Sequence, residues 1–97
     1  MPEFEGEGLN RFQKWVQQNV KYPEIAIQNG IKGTVFVNFI IDQNGDISSI
    51  KILRGVDPSL DNEVIRVLES APSWAPGKQR GENVKVRMSI PVKFMLE

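Results

Sequence analysis

Apolar residues in the first part of the chain recur at intervals of three and four, at Leu9, Phe12, Val16 and Val20. Residues at these spacings share one side of a helix, so the pattern predicts an amphipathic helix that ends near Asn19, with Trp15 widening its apolar stripe. The preceding residues 1–8 are acidic and rich in glycine, and only Phe4 among them is suited to dock on a core. We interpret this segment as a flexible lead-in.

A second, short helix is predicted directly after the first. Pro23 suits the first turn of a helix because its missing N–H has no partner there in any case. Asn29 and Gly30 tolerate the left-handed conformation that ends many helices. These signals bound a helix at Glu24 to Gln28.

Beyond Gly33 the apolar period changes from helical to two. Val35, Val37, Phe39 and Ile41 alternate with a second set that is also partly apolar, which predicts a central strand covered on one side and partly shielded on the other. Asn44-Gly45 follows, a strong hairpin signal because both residue types tolerate positive φ. Residues 47–53 are therefore expected to return as an antiparallel strand.

The second half of the chain predicts one more helix and one more strand. Asp57-Pro58 supplies an N-cap and a first-turn proline for a helix with a buried stripe at Leu60, Val64, Val67, Leu68 and Ala71. Residues 73–81 are interpreted as a polar loop, and residues 84–96 alternate strictly enough to predict the longest strand. Pro91 cannot donate to a strand ladder, so this last strand is expected at a sheet edge.

These elements predict one α+β domain over residues 9–97. The hairpin places the first two strands side by side, and the third helix crosses one face and returns the chain beside the first strand. The result is a three-stranded antiparallel sheet of order 2-1-3 with helices packed on one face. A chain of 97 residues is long enough for one core of this kind.

Charge and composition make several functions less favourable. The net charge is zero, with seven Lys/Arg and ten Asp/Glu in residues 1–77 and five against two in residues 78–97, too weak an imbalance to predict nucleic-acid binding. Histidine and cysteine are absent, which removes the commonest general base, the thiolate nucleophile and soft metal ligands. No catalytic residue, metal site or cofactor is predicted. No apolar run reaches the roughly 18 residues needed to span a bilayer, so any membrane anchor is expected outside this sequence.

An edge strand offers unpaired main-chain groups to another extended chain. Its lysine and arginine residues are a usual protection against indiscriminate pairing, yet the same edge could accept a partner peptide by β-augmentation or a second copy of the chain as a homodimer. Met88→Pro should abolish peptide binding and leave a folded domain, because it adds a kink and, if the Met88 N–H faces the open edge, removes a donor there.

Several segments together resemble the TonB C-terminal domain family, in the family's order and spacing over about residues 22–96. The resemblance rests on Tyr22-Pro23 and residues 24–26, Gly30 to Gly33 with the following strand, the hairpin at residues 44–47, Leu60-Asp61 with Val64, the Trp-x-Pro-Gly loop at residues 74–78, and Gly81, Val84 and Phe94. Pro2-Glu3-Phe4 also resembles a segment that precedes the domain in many members. The chain departs from the usual Phe-Pro-Gly-Gly lead-in, and Pro91 interrupts pairing late in the last strand.

The resemblance implies a domain that binds partners and transmits force. Proteins of this family are held in the inner membrane by an N-terminal helix, cross the periplasm, and pair with the TonB box of TonB-dependent outer-membrane transporters. An inner-membrane ExbB/ExbD-type motor driven by the proton gradient supplies the energy for uptake of siderophores or other nutrients. The implied partner-binding residues are Lys21, Tyr22, Pro23, Val84, Lys85, Val86, Arg87, Met88, Ser89 and Ile90.

Two rival functions and several structural interpretations stay open at this stage. The same fold could be appended to a membrane-bound sensor or peptidase and bind an envelope ligand. An enzyme is the weaker rival, because Asp57, Asp61 and Glu63 at one helix start are ordinary capping chemistry. Tyr22-Pro23 is as consistent with helix capping as with partner contact, and Trp74 is expected to pack in the core. The lysine and arginine side chains of residues 78–93 are expected either to form a solvated face or to attract an acidic segment of a partner.

Overall fold

The computed structural model describes residues 4, 8–75 and 77–96, with the main chain alone described at residues 77–79. Within these residues it contains three helices and five strands: α1 (Leu9–Asn19), α2 (Glu24–Gln28), β1 (Gly33–Ile41), β2 (Ile47–Arg54), α3 (Pro58–Glu69), β3 (Gly77–Gln79), β4 (Glu82–Val84) and β5 (Val86–Phe94). The predicted helices are confirmed. Six of the eight residues of the predicted lead-in lie outside the described residues, and Phe4 is buried in the core.

The main sheet has three antiparallel strands in the order β2-β1-β5, which confirms the predicted order 2-1-3. Pairing of β1 with β5 is unbroken from Gly33 opposite Phe94 to Ile41 opposite Val86. Pairing of β1 with β2 is interrupted by two register shifts, and at one of them Ser49 has a φ of 50°. Such bulges increase local twist, so the β2 side of the sheet is irregular and the β5 side is regular.

One face of the sheet carries the core. Alternate residues of β1 and β5 are buried against α1 and α3: Val35, Val37, Phe39, Ile41, Met88, Ile90, Val92 and Phe94. Phe4, Phe12 and Trp74 extend this core at one end, with ring centroids 4.9–5.4 Å apart. The opposite face, which we call the outer face, leaves Phe36 41% exposed and Leu53 54% exposed. No helix in the described part of the chain is long and apolar enough to cross a membrane.

The last predicted strand, residues 84–96, proved too long, because it begins at Val86. Residues 77–84 form a separate small hairpin in which Val84 pairs with Gly77, and Lys85 lies between that hairpin and β5. The turn consists of Arg80 and Gly81, with φ of 54° and 79°. Two consecutive residues of positive φ make the tight turn that suits a two-residue hairpin. Arginine seldom adopts this conformation, and the segment therefore resembles a plain loop in sequence.

The turn between β1 and β2 is organised by Asp42, whose Oδ1 accepts hydrogen bonds from the main-chain N–H groups of Asn44 and Asp46. Of the Asn44-Gly45 pair only Gly45 has a positive φ, 85°, so the turn is not the symmetric type that the sequence favours. Gly45 is buried because Trp74 lies against it, and the Trp74 N–H donates to the Gly45 carbonyl at 2.6 Å.

Glu63 ties the connection between α1 and α2 to α3. Its Oε2 accepts from the main-chain N–H of Lys21 at 2.7 Å, and both carboxylate oxygens accept from the guanidinium of Arg66. The hydrogen bond with Arg66 is the main reason why the pKa of Glu63 lies below its ordinary value, and the Lys21 N–H adds to the effect.

Replacement of Gly45 by alanine should destabilise the fold strongly. A Cβ at this position would lie 1.8 Å from the Trp74 carbonyl oxygen, and the φ of 85° is itself unfavourable for alanine. We expect a loss of about 3 kcal/mol or more in the free energy of unfolding, measured by urea denaturation.

Gly81→Ala is the matched control, since Gly81 has a φ of 79° but no atom of the described residues lies within 4 Å of the added Cβ. It should lose only about 1–2 kcal/mol, the cost of the backbone conformation. Equal losses for both variants would contradict the packing role of Gly45.

Glu63→Gln should reduce stability at neutral pH and matter less in acid. Because the pKa of Glu63 is lowered in the folded state, its contribution is present above the unfolded-chain value of about 4.3 and is lost as pH falls through the folded value. The free energy of unfolding, measured with urea at about pH 7 and about pH 3, should therefore differ less between the wild type and Glu63→Gln at the lower pH. Glu69→Gln, an exposed change of the same charge on the same helix, is the control and should change the free energy of unfolding by less than about 0.5 kcal/mol.

Candidate partner-binding edge

One side of β5 faces β1, and no other strand within the described residues pairs with its opposite side. The hydrogen bonds of Lys93 show in which direction the main-chain groups of β5 point. The Lys93 N–H donates to Oε1 of Gln17 at 3.0 Å, and the Lys93 carbonyl accepts from Nε2 of Gln17 at 2.7 Å. Gln17 belongs to α1, so the main chain of Lys93 points away from β1.

The same direction follows for every second residue of β5. In an antiparallel ladder the N–H and C=O of one residue point to the same side, and successive residues alternate. Because the pairing with β1 has no register shift, Arg87, Ser89 and Pro91 point outward like Lys93. Pro91 has no N–H, so the free edge offers the donors of Arg87 and Ser89 and the acceptors of Arg87, Ser89 and Pro91.

The same alternation corrects the expectation for Met88. Its N–H points toward β1, opposite Phe39, and its side chain is only 6% exposed. Met88→Pro would therefore remove a ladder hydrogen bond and a core side chain, and the unfolding of the domain would mask any effect on binding. Proline at position 91 is tolerated because its nitrogen faces the free edge.

The outer face next to this edge is basic. Arg87 lies beside Ile40, Ser89 beside Asn38 and Pro91 beside Phe36. The three strands contain Lys51, Arg54, Arg87 and Lys93 and no aspartate or glutamate. A shallow cavity of about 400 Å³ on this face is lined by Asn38, Ile40, Ser49, Lys51, Leu53 and Arg87. A chain added to the edge would thus place half of its side chains beside a cationic surface.

The helical side of the edge is bounded by α1. A groove of about 420 Å³ is lined by Asn10, Gln13, Lys14, Gln17 and Lys93. A second groove of about 440 Å³ continues past the end of β5 and is lined by Gln17, Val20, Tyr22, Lys93, Phe94 and Met95. Gln17 and Lys93 line both grooves.

The predicted partner-binding residues Lys21, Tyr22 and Pro23 have structural contacts. Lys21 donates its main-chain N–H to Glu63, and Pro23 stands at the N-cap of α2. The Tyr22 hydroxyl donates to the Ile31 carbonyl, and its ring meets that of Phe94 edge-on at 5.4 Å. Tyr22, which is half-buried, also lines the second groove.

The structure divides the predicted site into two places. Val84 lies in β4 and Lys85 outside any strand, whereas Val86, Arg87, Met88, Ser89 and Ile90 form the first half of β5. Tyr22 contacts Phe94 at the other end of that strand. Phe94 is seven residues from Arg87, or about 23 Å at roughly 3.3 Å per residue. Only a fully extended segment could reach both places.

Sequence patterns did not single out Gln17, which lies 76 residues from its partner Lys93. It is an exposed glutamine on a helix, and nothing in the local period distinguishes it from Gln18. No group of three or more acidic residues that could hold a metal ion occurs within the described residues.

Comparison with known proteins agrees with this architecture. The profile of the family described as Gram-negative bacterial TonB protein C-terminal matches residues 18–96. Protein TonB of Helicobacter pylori strain 26695 is 26% identical over 97 residues, which are 99% of this chain and 33% of that protein. The chain thus spans about a third of the length of the curated relatives that it matches.

Solved structures share the fold. The solution structure of the Helicobacter pylori TonB-CTD (residues 179–285) has a TM-score of 0.73 at 22% identity, covering 97% of this chain and 85% of that one. The Pseudomonas aeruginosa TonB CTD has a TM-score of 0.68 at 28% identity, covering 84% and 82%. With the family profile matched over most of its length, the chain belongs to the family of Gram-negative bacterial TonB C-terminal domains.

Proposed function

We propose that this domain binds an extended segment of a partner protein by strand addition to β5. The observation that carries the proposal is the open edge, where the main-chain groups of Arg87 and Ser89 point away from the sheet. In such complexes main-chain hydrogen bonds supply affinity and side-chain contacts supply selectivity. The domain acts by binding and not by catalysis.

Family membership supports a specific partner. The segment is the TonB box of a TonB-dependent outer-membrane transporter, and the domain is the periplasmic end of a TonB-type energy transducer for nutrient uptake. An N-terminal anchor in the inner membrane and an ExbB/ExbD-type motor complete the transducer. These parts belong to the whole protein. The chain matches about a third of the length of its curated relatives.

The geometry predicts modest affinity. Two donors and three acceptors allow about five hydrogen bonds, each contributing roughly 0.5–1.5 kcal/mol net. Ordering of the partner segment and lost translational freedom offset much of this total. Binding through the edge alone is therefore weak, and side-chain contacts with the basic outer face must contribute.

The open edge also supports a homodimer as a competing arrangement. Two copies of β5 paired antiparallel about Met88 would place Arg87 of each copy opposite Ser89 of the other. The two Arg87 side chains would then lie on the same face, and their repulsion disfavours this dimer relative to pairing with an acidic segment.

Ser89→Pro should weaken partner binding and leave the domain folded. The change removes one of two outward donors and places a ring where the partner strand must lie, while the ladder to β1 keeps its bonds. We expect the dissociation constant for a TonB-box peptide, followed by amide shifts, to rise about fivefold or more.

Ser89→Ala keeps the N–H and should change the dissociation constant less than about twofold. Met88→Pro should instead lower the midpoint of urea unfolding severely. A folded Ser89→Pro variant that binds like the wild type would contradict the proposed edge.

Arg87→Glu should weaken binding of an acidic transporter peptide at low salt. A partner residue opposite Arg87 lies on the outer face, within about 5.5 Å between Cβ atoms. Reversal of this charge should raise the dissociation constant about three- to tenfold, and the effect should shrink at high ionic strength.

Arg54→Glu is the control, because it makes the same change of net charge on β2, at the far side of the sheet. It should alter the dissociation constant less than about twofold. Equal effects of the two reversals would show that overall charge, and not position beside the edge, governs binding.

A further inference from the structure

The side chain of Gln17 makes with Lys93 the two hydrogen bonds that a neighbouring strand would make. Its Oε1 accepts from the Lys93 N–H at 3.0 Å and its Nε2 donates to the Lys93 carbonyl at 2.7 Å. A primary amide carries the same donor and acceptor groups as a peptide unit. The last outward residue of β5 is therefore already paired when no partner is bound.

We propose that Gln17 is a specificity-determining residue that fixes where a bound partner segment ends on β5. This inference rests on the proposed strand addition and adds the limits of the paired segment. Pairing begins at Arg87, continues through Ser89, and stops at the carbonyl of Pro91. The favoured partner is thus a short extended segment of about five residues and not a long strand.

Hydrogen-bond exchange explains why a longer segment gains little. To pair with Lys93, a partner must displace the Gln17 amide, so two hydrogen bonds are lost for two gained. The residue before Lys93 on the same side is Pro91, which offers an acceptor but no donor. Beyond Ser89 the net gain is therefore about one hydrogen bond, whatever the length of the partner.

The surroundings of Gln17 reinforce this limit. Gln17 lines the groove beside the edge and also the groove at the end of β5, where Val20, Tyr22 and Phe94 lie. Its side chain stands between the two grooves. A partner that continues past Pro91 must leave the plane of the sheet or displace Gln17.

The test uses two synthetic peptides from the amino-terminal segment of one outer-membrane transporter of the same bacterium. One has about five residues, and the other extends it by two residues at each end, enough to reach Lys93. Dissociation constants and amide shifts are measured for the wild type, Gln17→Ala and Gln18→Ala. Gln18 is exposed on the same helix, and its replacement controls for helix propensity.

In the wild type and in Gln18→Ala we expect the two peptides to bind within about twofold of each other, without a shift of the Lys93 amide. In Gln17→Ala the longer peptide should bind about five- to tenfold more tightly than the shorter one and should shift the Lys93 amide, because two more hydrogen bonds become available. Hydrogen exchange at Lys93 in the free protein should be faster in Gln17→Ala, which reports loss of the contact without any peptide.

An unchanged ratio of the two dissociation constants in Gln17→Ala would overturn the inference, as would a wild type that already prefers the longer peptide and shifts at Lys93. Failure of both peptides to perturb residues 87–91 in every protein would instead overturn the proposed function. Gln17→Glu gives a second variant, since it keeps the acceptor for the Lys93 N–H but cannot donate to the Lys93 carbonyl. It should favour the longer peptide, and a length ratio equal to that of the wild type would again contradict the inference.

Discussion

The unbroken ladder between β1 and β5 is the constraint on which the rest of the structure depends. Nine consecutive residue pairs keep one register. Once the N–H and C=O of one residue of β5 are known to point toward or away from β1, the direction of these groups is known for every residue of the strand. The contact of Lys93 with Gln17 supplies that direction. Core packing, the free edge and the tolerance of Pro91 all follow from the same alternation. The bulged pairing of β1 with β2 could not support such an inference.

A second constraint acts at the end of the sheet where the aromatic residues gather. Trp74 contacts Phe4, Phe12 and Phe39, and its main chain closes over the buried Gly45. Its indole Nε1 is buried and has no hydrogen-bond partner among the described residues, so Trp74 contributes through its apolar area and not through its polar atom. The β1–β2 turn and the segment after α3 are thereby held together.

The sequence was sufficient for most of the fold because the signals that define it are local. Near neighbours in the chain are enough to recognise the period-two alternation, the Asp57 cap and the edge strand that Pro91 indicates. The small hairpin was missed because its turn is formed by Arg80 and Gly81, a pair without a strong turn signature. The expectation for Met88 was wrong for a different reason. Side-chain alternation alone does not show on which side of β5 the strand β1 lies. The contact between Gln17 and Lys93 does show it, but these residues meet only in the tertiary fold.

The alternation in β5 divides its residues into a set that faces the core and a set that faces outward. Val86, Met88, Ile90, Val92 and Phe94 face the core, and their main chains bond to β1. The intervening Arg87, Ser89 and Pro91 present both main chain and side chain to the surroundings, whereas the main chain of Lys93 bonds to Gln17. Substitutions at these outward-facing positions can therefore change the exposed edge at little cost to folding. The exposed side of β5 can thus change in charge and shape while its core-facing side stays the same.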